Sequence, residues 1–136
     1  MYSITYVSSA THAFSQEQLF ELLDECRGNN LRENLTGQLL YKDQEFMQVL
    51  EGEEEAVNRL YLGITADPRH QDVRLIQYEQ IDHRQFDDWA MALAKLPEVP
   101  GNYINKLYGG FKPQLFSTRD ALIYFNFLRN YLKRAA

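Results

Sequence analysis

Apolar and polar residues alternate along several short stretches of this chain. This pattern is typical of β-strands, whose side chains point in turn to either face. In the first stretch, Tyr2, Ile4 and Tyr6 share one face, which we interpret as the inward face. The second and third stretches are separated only by the polar residues 42–45, so they predict a hairpin. The five predicted strands are residues 2–8, 35–41, 46–52, 73–81 and 86–96.

Apolar residues at helical spacing predict two helices between the strands. The first begins with a capping box at residues 15–18 and is expected to stop at Gly28-Asn29-Asn30, because Gly and Asn accept left-handed backbone angles. The second has an apolar stripe over residues 57–64 and ends at Asp67-Pro68. A last helix, residues 121–134, is apolar on more than one side, which indicates burial on both sides or an interface.

This order of elements, βαββαββ followed by a helix, predicts an α+β fold of the ferredoxin-like kind. In that fold two helices pack on one face of a mixed or antiparallel sheet. We expect the sheet domain to cover residues 1–96. Residues 97–136 would then form a C-terminal helical extension that acts as a cap or an interface.

Composition excludes several classes of function. The net charge of −5 and the lack of a Lys/Arg stripe argue against nucleic acid as a partner. No apolar run approaches the roughly 20 residues that span a bilayer, and no signal-peptide pattern is visible, so we predict no membrane association. The single Cys26 cannot form an internal disulfide, which favours a reducing cytoplasm. Scattered histidines predict no metal site.

The third strand contains one unusual residue, Gln48. Alternation places it between Phe46 and Leu50 on the predicted core face. A buried amide without partners costs about 1–3 kcal/mol. Gln48 is therefore either satisfied by neighbouring protein groups or faces a bound polar molecule.

Other polar side chains are expected to converge on the same region. Tyr6 points inward from the strand next to that of Gln48, and Asn29 and Asn30 lie at the end of the first helix. Taken singly, each is more often a satisfied core polar group. Together they would make a poor dry core and a good pocket for a flat ring that carries amide groups.

These residues occur in a pattern that resembles the BLUF family, the flavin-binding blue-light sensors. The similarity extends over about residues 1–96, and the tail resembles that of the short, single-domain members of the PixD type. The matching pieces, in order, are Tyr6, Asn29-Asn30, Leu35-Thr36-Gly37, residues 46–52, Asp67-Pro68-Arg69-His70 and Trp89-Ala90-Met91.

The resemblance implies a domain that holds FAD, or alternatively FMN, non-covalently between its two helices. Tyr6 then matches the electron and proton donor to the excited flavin. Gln48 matches the amide that links that tyrosine to the polar edge of the ring. Asn30, with Asn29 beside it, matches the side chain on the other side of that edge.

Four further matches concern the body of the flavin. Leu22 and Ile64 correspond to positions that sandwich the ring. Arg69 and His70 correspond to a basic pair near its outer end.

The resemblance also implies a signalling role and no enzymatic activity. Trp89 and Met91 match last-strand residues that relay the change in the hydrogen bonds. We expect the signal to pass to a downstream protein, and we expect homo-oligomers to form through the C-terminal helix. The alternative is a flavin-free ferredoxin-like interaction module. A flavin-dependent redox enzyme has less support, since no nicotinamide site is visible.

Overall fold

The structure is a computed structural model that describes residues 1–86, 92–94, 112–124 and 126, with side chains left undescribed at 92–94. Its strands are β1 (Tyr2–Ala10), β2 (Thr36–Lys42), β3 (Glu45–Gly52), β4 (His70–Gln80) and β5 (Ala92–Ala94). Its two long helices are α1 (Gln16–Arg32) and α2 (Glu54–Ala66). A 3₁₀ turn, Pro113–Leu115, precedes a helical segment at 118–124.

The strands form one sheet in the order β4-β1-β3-β2-β5. All neighbours are antiparallel except β2 and β5, which are parallel. The pairing of β1 with β4 contains register shifts between Thr5 and Tyr6 and between Val7 and Ser9, which are typical of β-bulges. The ferredoxin-like prediction, with strands one and three as neighbours, is confirmed.

The hairpin between β2 and β3 follows from its sequence. Asp43 and Gln44 have φ angles of 52° and 64°, the left-handed geometry that closes a tight two-residue turn. Inside β2, Gly37 allows β3 to approach closely, because an added Cβ would lie 2.0 Å from the carbonyl oxygen of Val49.

Each face of the sheet buries its own core. One face carries Ile4, Tyr6, Phe46 and Leu50 and packs against α1 and α2. The opposite face packs against Phe116 and the segment 118–124. The buried residues of that second core are Val7, Leu40, Met47, Val49, Ile76, Phe86, Phe116, Ala121 and Tyr124. The inward orientation predicted for the first strand is therefore correct.

The predicted end of α1 is wrong. The helix continues through Gly28, Asn29 and Asn30 to Arg32, and the left-handed residue is Asn34, with φ of 54°. Gly and Asn permit a helix stop but do not impose one. The Leu35 amide then donates to the Asn30 carbonyl at 2.8 Å, which fixes the exit into β2.

The predicted start of the fifth strand at Phe86 is also wrong, since residues 85–86 form a bend. The Glu51 carboxylate, 1% exposed, accepts hydrogen bonds from the backbone N–H groups of Gln85 at 2.8 Å and Phe86 at 2.9 Å. Arg84 donates to the Glu51 carbonyl at 2.9 Å. These contacts hold residues 85–86 in a bend, so that they do not pair as part of a β-strand. Within the described parts of the chain, no helix has the length and hydropathy to cross a membrane.

Candidate functional site

A cavity of about 220 Å³ lies between α1, α2 and the sheet. Eight of the ten residues that the sequence singles out line it: Tyr6, Leu22, Asn29, Asn30, Gln48, Ile64, Arg69 and His70. The other two, Trp89 and Met91, lie outside the described residues. The structure thus brings the predicted residues of β1, β3, both helices and the start of β4 around one space.

The register of the sheet fixes the pair at the floor of this cavity. Tyr6 on β1 lies directly opposite Gln48 on β3, and the Tyr6 hydroxyl donates a hydrogen bond to Gln48 Oε1. Both side chains are buried, at 1% and 3% exposure. The amide therefore presents its carbonyl oxygen to the phenol.

The surroundings of Tyr6 keep its hydroxyl protonated. Burial, with smaller contributions from Cys26, Tyr61 and Asp67, raises the pKa of Tyr6 well above its ordinary value of 10.0. The Tyr61 ring stacks at 5.8 Å between centroids. Because burial keeps the phenol protonated, Tyr6 is the donor and the Gln48 amide is the acceptor in this hydrogen bond.

The two asparagines of α1 come from consecutive positions, and their burial differs. Asn30 is 1% exposed and lines the cavity from within the last turns of the helix. Asn29 is partly buried, and its Oδ1 accepts a hydrogen bond from the Arg32 guanidinium. That bond turns the Asn29 amide so that its NH₂ group is the one available as a donor.

Arg69 at the mouth of the cavity is engaged by two carboxylates. Its guanidinium lies 2.6 Å from Asp67 Oδ2 and 3.2 Å from Glu25 Oε2. The hydrogen bonds from Arg69 hold the pKa of Asp67 below its usual value. Arg69 therefore ties α1 to the segment after α2 across the mouth.

His70 lies at the first position of β4 and is neutral near pH 7. Burial lowers its pKa below 6.5, and Nδ1 lies 2.8 Å from Ser8 Oγ. Its ring is 4.8 Å from that of Phe46, centroid to centroid. Neither member of the basic pair predicted from the resemblance offers a free positive charge: burial lowers the pKa of His70, and Arg69 is paired with two carboxylates.

Several lining residues were not among the predicted site residues. Leu39 and Phe46 contribute apolar walls from the sheet, and Leu60 and Gly63 contribute from α2. Alternation along β3 could have identified Phe46, which shares the face of Gln48. Cys26 also lines the cavity, and burial raises the pKa of its thiol to about 11, so the thiol stays protonated near pH 7.

The chemistry of this lining fits a flat heteroaromatic ring. Apolar side chains of both helices form walls, with Leu22 on α1 and Ile64 on α2. Amides from Asn30 and Gln48 supply donors and acceptors for a polar edge. Among the described residues no group of three or more His, Cys, Asp or Glu could hold a metal ion.

Comparison with known proteins matches the part of the chain that forms this cavity. A family model described as BLUF, sensors of blue-light using FAD, matches residues 1–92. The photoactivated adenylate cyclase subunit beta of Euglena gracilis is 34% identical over 93 residues, which make up 68% of this chain. That match covers only 11% of the Euglena protein, so the cyclase activity in its name belongs to a much longer chain.

Solved structures extend the comparison to the fold. The ground state of BlsA superposes with a TM-score of 0.80 and 28% identity, over 94% of this chain and 87% of BlsA. The dark-state structure of BlrB, a BLUF protein, gives a TM-score of 0.65 and 37% identity, over 68% of this chain and 70% of BlrB. The likeness to BlsA includes the region after residue 92.

Proposed function

This chain belongs to the BLUF family, sensors of blue light using FAD, and we propose that it is a blue-light photoreceptor whose switch is the Tyr6–Gln48 pair. FAD would lie non-covalently in the cavity between α1 and α2, with FMN as the alternative flavin. The observation that carries the proposal is the buried hydrogen bond from the Tyr6 hydroxyl to Gln48 Oε1 at the floor of that cavity.

Each residue of the pair has a distinct part. When bound, FAD supplies the absorption of blue light and the capacity to accept an electron. Tyr6 would donate that electron, and its hydroxyl proton points at Gln48 Oε1, through which it would leave and later return with the electron. Gln48 has a donor and an acceptor at its end, so rotation or tautomerisation inverts what it offers on each side. Once the electron and the proton have returned to Tyr6, the inverted amide would favour a second arrangement of hydrogen bonds with no net change in the redox state of the protein.

The other cavity residues position the ring. Asn30 and Asn29 would hold the polar edge of the ring from α1. Leu22 and Ile64 would contact its two faces. Trp89 and Met91, which lie outside the described residues, are proposed to relay the change, and this part of the proposal rests on the resemblance alone.

We propose that the output is an interaction and not a reaction. A downstream signalling protein is the expected partner, and the C-terminal helix is the expected surface for homo-oligomers. Support comes from the core on the outer face of the sheet, where Ala121 and Tyr124 pack on β-strand residues. Because Met47 and Val49 of β3 belong to the same core, a change at Gln48 could alter the packing of this helix. A location in the cytoplasm stays a prediction.

The test is an absorption spectrum of the purified protein with FAD, recorded before and after blue light. We expect a small, reversible shift of the flavin bands to the red. Tyr6→Phe and Gln48→Leu should bind flavin but lose the shift. Tyr61→Phe is the matched control, because its ring stacks on Tyr6 and should leave the shift intact.

Two outcomes would overturn the proposal. A protein that takes up no FAD would favour the flavin-free interaction module. A photoresponse retained in both Tyr6→Phe and Gln48→Leu would remove these two residues from the mechanism.

A further inference from the structure

A second cavity, of about 260 Å³, lies on the face of the sheet opposite the Tyr6–Gln48 pair, and we call it the outer cavity. Among the described residues it shares no lining residue with the first cavity. Leu122 of the segment 118–124 lines it on one side. Its floor is formed by three pairs of residues from β1, β3 and β4: Ser3 and Thr5, Val49 and Glu51, Gln77 and Glu79.

The register of the sheet places two carboxylates on either side of one hydroxyl. Ser3 is paired with Glu51 on β3 and with Glu79 on β4, and all three residues line the outer cavity. Because neighbouring strands lie about 4.8 Å apart, the backbones of the two glutamates are roughly 10 Å apart across the sheet. A positively charged group between them would be attracted by both.

The described residues around the outer cavity do not supply that positive charge. No Lys, Arg or His is among its described lining residues, and in the described parts of the chain neither Glu51 nor Glu79 forms an ion pair. Arg84 donates to the backbone carbonyl of Glu51 and to the Thr36 hydroxyl, and even counted in full it balances only one of the two carboxylates. Glu51 Oε2 accepts one hydrogen bond within the described residues, from the Gln85 N–H, so it can accept another.

The hydroxyls of Ser3 and Thr5 are a second, independent sign of a polar occupant. The two residues are 7% and 2% exposed, and both line the outer cavity. Within the part of the chain that the structure describes, neither side chain forms a hydrogen bond. Buried hydroxyls ordinarily have a partner, and both oxygens can accept an N–H group.

The other walls of the outer cavity match an alkyl chain. Val49, Ile81, Phe86 and Leu122 line it, and none of them offers a polar side chain. A metal ion needs no such walls, whereas an alkyl chain that ends in an ammonium or guanidinium group packs its methylenes against apolar surface. The lining therefore fits an organic cation.

We propose that the outer cavity binds an alkylammonium or alkylguanidinium group. The cation lies between Glu51 and Glu79, and its N–H groups donate to these carboxylates and to the hydroxyls of Ser3 and Thr5. The group is carried by free amines and guanidines and by Lys or Arg side chains of a partner protein. This site goes beyond the proposed function, because it requires neither flavin nor light.

The experiment follows the ¹H–¹⁵N NMR spectrum of the full chain during titration with butylguanidinium. The matched neutral probe is butylurea, which has nearly the same shape without the charge. We expect saturable shifts of the amide signals of Ser3, Thr5 and Glu79 with butylguanidinium, and binding of butylurea that is weaker by about tenfold or more. Both titrations are repeated in the presence of FAD, so a failure of flavin binding leaves this test intact.

Two further probes distinguish the source of the cation. They are a blocked arginine, with an acetyl group and a methylamide at its ends, and the corresponding blocked citrulline, which is neutral. Binding of the blocked arginine as tightly as butylguanidinium, with no binding of citrulline, assigns the site to a side chain of a partner protein. Exclusion of the blocked arginine, with butylguanidinium bound, assigns it to a free guanidine or amine.

Variants of the floor test the named contacts. Thr5→Val removes one hydroxyl with little change of shape and should weaken butylguanidinium binding by about threefold to tenfold. Glu79→Gln removes an exposed carboxylate and should weaken it by about threefold. Glu17→Gln is the matched control, because Glu17 is an exposed acid of α1 that lines neither cavity, and it should leave the affinity unchanged.

Three results would overturn the proposal. The first is equal binding of butylguanidinium and butylurea. The second is an undiminished affinity in both Thr5→Val and Glu79→Gln. The third is the lack of a saturable shift with every probe, which would mean that the outer cavity holds water alone.

Discussion

The Tyr6–Gln48 hydrogen bond should be measurable as a coupling energy in the flavin-free protein. Neither side chain has access to bulk water, since they are 1% and 3% exposed. A net hydrogen bond contributes about 1 kcal/mol, and a buried group left unsatisfied costs about 1–3 kcal/mol. The two residues can be changed independently because each has an apolar counterpart of similar shape.

The two single variants should lower the free energy of unfolding by different amounts. Gln48→Leu leaves the buried Tyr6 hydroxyl without its acceptor, so we expect the free energy of unfolding to fall by about 2–3 kcal/mol. Tyr6→Phe removes the hydroxyl itself and should lower it by about 1 kcal/mol. The double variant removes both partners, and its loss should be smaller than the sum by about 1–2 kcal/mol.

Urea denaturation of the four proteins, followed by circular dichroism, gives this coupling if the m-values agree. The control cycle combines Tyr61→Phe with Gln48→Leu, because Tyr61 stacks on Tyr6 without being the donor to the Gln48 amide. That cycle should be additive within about 0.5 kcal/mol. Additivity in the Tyr6–Gln48 cycle as well would refute the hydrogen bond and, with it, the basis of the proposed switch.

Three other substitutions probe groups outside that pair. Gln38→Leu should raise the free energy of unfolding, measured in urea, by about 1–2 kcal/mol. Among the described residues, neither amide atom of the buried Gln38 has a hydrogen-bond partner. A loss of stability would contradict this prediction. Glu51→Gln should lower the free energy of unfolding by about 2–3 kcal/mol, because an NH₂ group replaces one of the carboxylate oxygens that accept backbone N–H groups. The measurement is thermal unfolding. An unchanged unfolding temperature would argue against the contacts between Glu51 and the bend at residues 85–86. Burial lowers the pKa of His70 below 6.5, so as pH falls through 6.5 the unfolded chain takes up a proton that the folded chain does not, and stability should decrease. His70→Gln should flatten the urea-derived stability profile between about pH 7 and pH 5, and an equally steep profile in the variant would assign the effect elsewhere.

The faces of the strands could be predicted from sequence because a strand has a fixed period of two. Once Tyr6 and Gln48 are assigned to inward faces of neighbouring antiparallel strands, only the register decides whether they meet. The hairpin fixes the register of β2 against β3, but β1 and β3 are not joined by a hairpin, and the register that places Tyr6 opposite Gln48 has no local signal in the sequence. Alternation thus predicted that both side chains point inward, whereas their pairing was implied only by the family resemblance.

The ends of elements were less accessible, because they depend on partners that are distant in sequence. The turn after α1 occurs at Asn34 and not at Gly28, and both are residues that tolerate left-handed angles. Nothing local distinguishes them. The bend at residues 85–86 depends on Glu51, which lies more than thirty positions earlier. Alternation does place Glu51 beside Met47 and Val49 on an apolar face, and that was the available signal for its burial.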